Sequence, residues 1–274
     1  MRTVNSANES ATGSYLDDVT DRLRAAEIPP DIIADAISCL PKRCQGLLMY
    51  GSRARRDHRP DSDLDLLAFV PRPSGSRSVG LVNLSCYTQE QLSTASGTLF
   101  GVHLQRDAIV VFDPEQKLTG LLANFAPLDA QLLLDRVQHF SAILSSIDID
   151  QYLPGSVRLA KYFLRSAIYA DAIVAGQPCF SVRELAERHS QSELMKVLDS
   201  GPQESATLSD LDDLIMRLEP FVGQAPPNPH STIEALVVEE WETDRERSSL
   251  AILAMKRGSS QSPFDYSLLP KVLL

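Results

Sequence analysis

The sequence predicts an α/β domain followed by an all-helical one. Three observations carry this reading. Four short apolar runs, at 45–50, 64–70, 81–88 and 108–112, have strand length and are separated by polar or helix-like stretches. From about residue 127 no β-rich run remains except a short ambiguous one, Ala235 to Val238. The later segments place apolar residues at helical spacing.

The elements follow in order. Residues 15–27 and 30–41 read as two helices, separated by Pro29-Pro30, with Asp31 near the start of the second. Residues 45–50 and 64–70 are strands. Pro71 to Gly80, PRPSGSRSVG, reads as a loop. Leu81 to Thr88 is a third strand and Gln89 to Leu92 opens a short helix. Ala108 to Phe112 is a fourth strand, ended by Asp113-Pro114, and 115–124 is a helix that closes the domain. In 128–147, Leu128, Leu132, Val137, Phe140, Ile143 and Leu144 suit an amphipathic helix. Further helices are expected at 154–175, from Val182 with Ser181 as its cap, at 208–221 and at 231–256. Ala225-Pro226-Pro227-Asn228-Pro229 reads as a linker.

Composition narrows the function classes. The apolar share of 43% and charged share of 23% are ordinary for a globular protein. The 26 basic and 36 acidic residues give −10, which argues against a general nucleic-acid coating surface. No run approaches the roughly eighteen apolar residues of a membrane span, and no membrane partner is expected. The N-terminus, MRTVNSANESATGS, is polar and lacks an apolar signal core, so 1–14 is expected to be a flexible tail. Cys39, Cys44, Cys86 and Cys179 show no CxxC spacing and sit in or beside apolar segments, which suits buried thiols and a cytoplasmic location. The histidines are scattered, so no zinc site is expected.

The chemistry concentrates in 49–70, MYGSRARRDHRPDSDLDLLAFV. An apolar run leads into Gly51-Ser52, and Asp63 follows eleven positions after Ser52. Asp63 and Asp65 at i and i+2 of a strand point the same way. Two anionic groups aimed at one point are costly unless a cation sits between them. Oxygen ligands beside a phosphate site favour Mg²⁺, which binds through one or two carboxylates plus substrate phosphates. Gly51 permits close backbone approach, and Ser52 offers a hydroxyl and an N–H where a helix begins. A surface turn capped by Asp61 and Asp63 is the competing reading, but it leaves Asp65 unexplained inside an apolar run.

GSRAR at 51–55 followed by DSDLDLL at 61–67 resembles the nucleotidyltransferase superfamily that includes DNA polymerase beta. It is most similar to the minimal nucleotidyltransferases and the antibiotic, kanamycin-type ones. The resemblance implies a small mixed-sheet nucleotidyltransferase core at 15–126, a helical domain at 127–257 and an irregular tail at 258–274. It implies Mg²⁺, two ions, with ATP as the nucleoside triphosphate, and AMP passed to a small-molecule, protein or RNA acceptor. Gly51, Ser52 and Arg53 would grip the phosphates and Asp63 and Asp65 the metal.

The family's third carboxylate falls on Asn83, within Val82-Asn83-Leu84. Strand alternation puts Asn83, Ser85 and Tyr87 on one face and the apolar Val82, Leu84 and Cys86 on the other, so Asn83 should point into the metal cleft. An amide can offer its oxygen to a metal but takes no proton at neutral pH. Asp107, Glu90 and Asp113 are candidates for a displaced carboxylate. Arg56 stands where the small-enzyme pattern has glycine. Arg158, Lys161 and Arg165 form one helix stripe. It is either a solvated basic face or, as the resemblance implies for Lys161 and Arg165, a clamp over the triphosphate. Tyr50, Tyr87, Tyr162 and Phe180 could stack on a base, with core packing as the default. The basic loop Arg53, Arg55, Arg56, His58 and Arg59 could touch an RNA acceptor or the nucleotide. The functions left open are an active nucleotidyltransferase, a catalytically weakened nucleotide- or partner-binding member, and a toxin–antitoxin component.

Overall fold

A computed structural model describes residues 5–188, 194, 197, 198 and 206–256, with side chains from Tyr15 onward. The tail expected from 258 lies outside the described residues. The chain divides after Pro127 into two compact units.

The first unit is built on a five-stranded sheet in the order β3-β4-β2-β1-β5. The strands are β1 (Gly46–Tyr50), β2 (Leu64–Phe69), β3 (Arg77–Val79), β4 (Val82–Tyr87) and β5 (Ile109–Phe112). The β2–β4 pair is parallel and the other pairs are antiparallel, so the sheet is mixed. Alternation sorts the side chains onto two faces. Leu47, Met49, Leu64, Leu66, Ala68, Val82 and Leu84 pack with Val19 and Leu23 of α1 (Asn5–Ala25) and Ile32, Ile33 and Ala36 of α2 (Pro30–Cys39). Leu48, Leu67 and Phe69 pack on the other face. They meet Leu92 of α4 (Gln89–Ser93), Leu104 of α5 (Leu99–Asp107), and Leu118 and Leu122 of α6 (Lys117–Ala123). Each fully buried leucine contributes about 1.5–3 kcal/mol.

Several elements differ from the sequence reading. The helix expected from residue 15 begins at Asn5, inside the stretch read as a tail. Between Asn5 and Tyr15 only Gly13 strongly disfavours a helix, at a cost of about 1 kcal/mol. The loop read at 71–80 contains β3. Gly80, at φ +53, and Leu81 turn the chain between β3 and β4, and Arg77 donates to the Cys39 carbonyl at 3.1 Å, tying this edge strand to α2. Helix α5 was not expected. Its cap, Thr98 accepting from Gly101 N, was readable, but the interior glycine Gly101 hid the periodicity.

The second unit is helical. Its elements are α7 (Ala130–Ser141), α8 (Leu153–Val174), α9 (Val182–Arg188), α10 (Leu208–Val222), α11 (Ile233–Glu240) and α12 (Arg245–Met255). Helices α7, α10 and α12 pack around α8, whose Phe163 is fully buried. Gly155 lets α8 pass against the Ala254 backbone, where a Cβ would collide. The helix expected at 128–147 ends at Ser141 and continues as 3₁₀ turns at Ala142–Ser145 and Ile149–Tyr152. The single helix expected at 231–256 is two helices, because Asp244 caps a new one by accepting from Arg247 N. Buried Glu240 fixes that break, bonded to both His230 and Arg247.

Candidate active site

The site is built where β1 ends beside the first residues of β2 and β4. Tyr50, the last residue of β1, lies opposite Asp65, and Asp65 lies opposite Asn83. Beyond Tyr50 the chain turns into α3 (Gly51–Arg55) at Gly51, whose φ of +77 suits glycine. A Cβ there would strike the Asp65 carboxylate. The glycine therefore serves two ends: it makes the turn and leaves room for Asp65. Ser52, half-buried, follows in the first turn of α3.

Asp63 is exposed and Asp65 half-buried. Burial, then the negative charge of Asp63, pushes the Asp65 carboxyl up to about 6, with a hydrogen bond from Asn83 and the Arg55 charge opposing. Asn83 points into the cleft as expected. Its Nδ2 donates to Asp63 Oδ2 at 3.0 Å, and its Oδ1 accepts from the Ser78 hydroxyl at 2.9 Å. The donor set fits one hard cation. Two carboxylates converge, and burial together with its neighbour's charge makes one of them costly to ionise, a cost that a divalent ion would relieve. Among the described residues no group of three or more His, Cys, Asp or Glu could hold a metal.

Residues 35–127, spanning the whole sheet, match the family model of the nucleotidyltransferase domain. The first unit carries a nucleotidyltransferase domain. No curated protein matches the chain.

Within the nucleotidyltransferase domain the arginines divide their work. Arg53, expected at the phosphates, is 4% exposed and faces the loop instead. It donates to the Ser62 carbonyl from Nε at 3.0 Å and Nη2 at 2.7 Å, and to Pro60 O at 3.4 Å. It thus holds the 56–63 connection that delivers Asp63. Arg56 caps α3 at φ +63, a conformation in which L residues are disfavoured. That accounts for glycine in the small-enzyme pattern. Arg56→Gly should raise stability by about 1 kcal/mol, read from urea melts.

Arg55 turns away from the cleft into a charged cluster that the sequence did not reveal. Its Nη1 donates to His103 Nε2 at 3.0 Å, its Nε to Asp57 at 3.3 Å, and Asp107 lies at 3.8 Å. Arg106 reaches Asp107 at 3.4 Å. No spacing links Arg55 to residues nearly fifty positions away; α5 brings them together. Burial, then the Arg55 and Arg106 charges, lowers the His103 imidazole to about 3. The sign follows from linkage. The unfolded chain binds a proton near pH 6.5 that the folded one refuses, so stability is full above about 6.5 and is lost as pH falls toward 3. From about pH 8 to about pH 5 the loss from this residue is about 2 kcal/mol. His103→Asn should show a shallower acid decline in urea melts at the two pH values. An equal decline in parent and variant would remove His103 as the cause.

The other candidates fall elsewhere. Asp113 is committed as a cap of α6, accepting from Leu118 N, Thr119 N and the Thr119 hydroxyl. Asp107 sits in the Arg55 cluster, and Glu90 is exposed in the first turn of α4. Tyr50 and Tyr87 pack against Phe100, and Tyr162 and Phe180 are buried in the second unit, in keeping with the default of core packing. In that unit Arg158, Lys161 and Arg165 share a half-buried stripe of α8. Arg165 donates to the Leu198 carbonyl at 2.9 Å. Burial, then the Arg165 charge, lowers the Lys161 ammonium, with Asp210 opposing.

Proposed function

We propose that the protein transfers a nucleoside monophosphate, AMP, from ATP to a small-molecule, protein or RNA acceptor. The observation that carries this reading is the convergence of Asp63, Asp65 and Asn83 beside the Gly51 turn. Asp63 and Asp65 would hold Mg²⁺, which when bound offsets charge on the phosphates. Gly51 and Ser52 seat the β/γ end of the triphosphate through backbone N–H groups and the Ser52 hydroxyl. Arg55 lends a positive charge behind the turn.

Incubating the protein with radiolabelled nucleoside triphosphates, Mg²⁺ and a cell extract tests this reading. One class of molecule should become labelled, most strongly with ATP. No label transfer from any nucleotide sinks it. Ser52→Ala should weaken triphosphate binding by about 1–2 kcal/mol, the scale of one hydrogen bond to a charged group. Calorimetry returning the parent affinity would remove Ser52 from the phosphate site.

A second reading, a nucleotide-binding member with weakened catalysis, is favoured by Asn83 alone. An amide cannot take the acceptor's proton. Paired carboxylates would then be retained for binding, and calorimetry would show Mg²⁺-dependent ATP affinity without label transfer.

A further inference from the structure

The proposed reading leaves open how many ions the cleft takes, and the pair Ser78–Asn83 bears on it. An ionised carboxylate only accepts hydrogen bonds, so the amide facing Asp63 must present its NH₂. The 3.0 Å contact from Nδ2 to Asp63 Oδ2 has that sense. Turning the amide over would set its oxygen against a carboxylate oxygen. Ser78 suits either sense, since its hydroxyl donates to Oδ1 at 2.9 Å here and could accept from an NH₂ instead; the Asp63 carboxylate therefore sets the orientation and Ser78 takes up the oxygen. Ser78 lies directly opposite Asn83 in the β3–β4 ladder, so the backbone register holds the pair together. β3 itself is anchored through Arg77 to the Cys39 carbonyl.

A two-ion phosphoryl site holds its metals about 3.5–4 Å apart, with oxygen donors around both. Mg²⁺ demands near-octahedral oxygen ligation. The Asn83 side of this cleft offers N–H groups, whose partial positive charge repels a cation, and the amide oxygen is engaged by Ser78. Of the acids considered as replacements, Asp113 caps α6, Asp107 lies in the Arg55 cluster, and Glu90 is exposed in the first turn of α4. We infer that the Ser78–Asn83 pair makes this a one-ion site, with the amide standing where a second divalent cation would otherwise bind. This rests on the proposed nucleotidyltransferase reading and alters the count of two ions that the family resemblance implies. Asn83 is a positioning residue in this scheme. It orients the Asp63 carboxylate and neutralises part of its charge without a metal.

Electron paramagnetic resonance of the full chain with Mn²⁺ and α,β-methylene ATP tests it without requiring turnover. The parent protein should bind one Mn²⁺ with an uncoupled spectrum. Asn83→Asp should bind two, giving the exchange-coupled signal of a close pair, with a thermal melt in Mn²⁺ confirming that the variant is folded. A coupled pair in the parent protein overturns the inference, whatever the variant does. A single uncoupled ion in a folded Asn83→Asp variant overturns it as well, because Asn83 would not be what sets the count. No protein-bound Mn²⁺ in the parent, with or without nucleotide, overturns the metal reading of Asp63 and Asp65 itself. That outcome is distinct from finding two ions.

Discussion

Asp63→Asn and Asp65→Asn should each cut Mg²⁺-dependent nucleotide turnover by about a thousandfold or more while leaving the fold standing. Metal stabilisation of phosphoryl charge is worth several kcal/mol, and about 1.4 kcal/mol is tenfold in rate. The two substitutions should differ in stability. Asp63 is exposed, so its loss should leave the melting temperature nearly unchanged. Asp65 carries a carboxyl pushed up to about 6 by burial and by the Asp63 charge. Its folded form therefore resists ionisation, and it detracts from stability above about pH 6 but not below the ordinary carboxylate range. Asp65→Asn should raise the melting temperature at about pH 8, and the gain should fade toward about pH 4. Parental turnover in both variants would disprove the metal assignment. Lost turnover with a collapsed melt would instead mean that the carboxylates serve the fold.

What could be read from the sequence was whatever depends on local periodicity. The strand faces were legible because side chains alternate: the placement of Asn83 in the cleft follows from the apolar set Val82, Leu84 and Cys86 alone. The turn and the paired aspartates were legible because glycine and acids stand out against apolar runs. The features that escaped depend on the chain folding back on itself. β3 is three exposed residues whose identity as a strand comes from pairing with β4. Its Ser78 matters only because the register sets it opposite Asn83. The family resemblance implies that Arg53 is a phosphate ligand, through its place after Gly51-Ser52. Only the path of the 56–63 connection turns its guanidinium to Ser62 and Pro60. The His103 cluster joins α3 to α5, a helix whose interior glycine weakened its own signal. In the second unit, Asp244 had the chemistry of a cap, but the polar stretch around it, EEWETDRER at 239–247, holds no glycine or proline to mark the break between α11 and α12.

Gly51→Val should be the most damaging single change in the nucleotidyltransferase domain. Two penalties combine. At φ +77 a β-branched side chain is strained, which costs of order 1–3 kcal/mol. The added Cβ also meets the end of the Asp65 side chain, so the carboxylate must swing aside in a half-buried position. Overpacking of this kind typically costs a further 1–3 kcal/mol or so. The sum, about 2–6 kcal/mol, is a large fraction of the 5–15 kcal/mol or so that holds a typical domain together. Chemical denaturation of the variant should show the loss directly. Gly51→Ala measured alone, and again together with Asp65→Ala, separates the two penalties. Removing the Asp65 carboxylate should relieve the collision and recover that part of the loss, while the backbone strain of about 1–2 kcal/mol persists. A double variant as unstable as the sum of the singles would show that Gly51 is required for its dihedral angle alone. Partly recovered stability without restored turnover is the expected outcome, because the carboxylate that Gly51 makes room for is the one proposed to hold the metal.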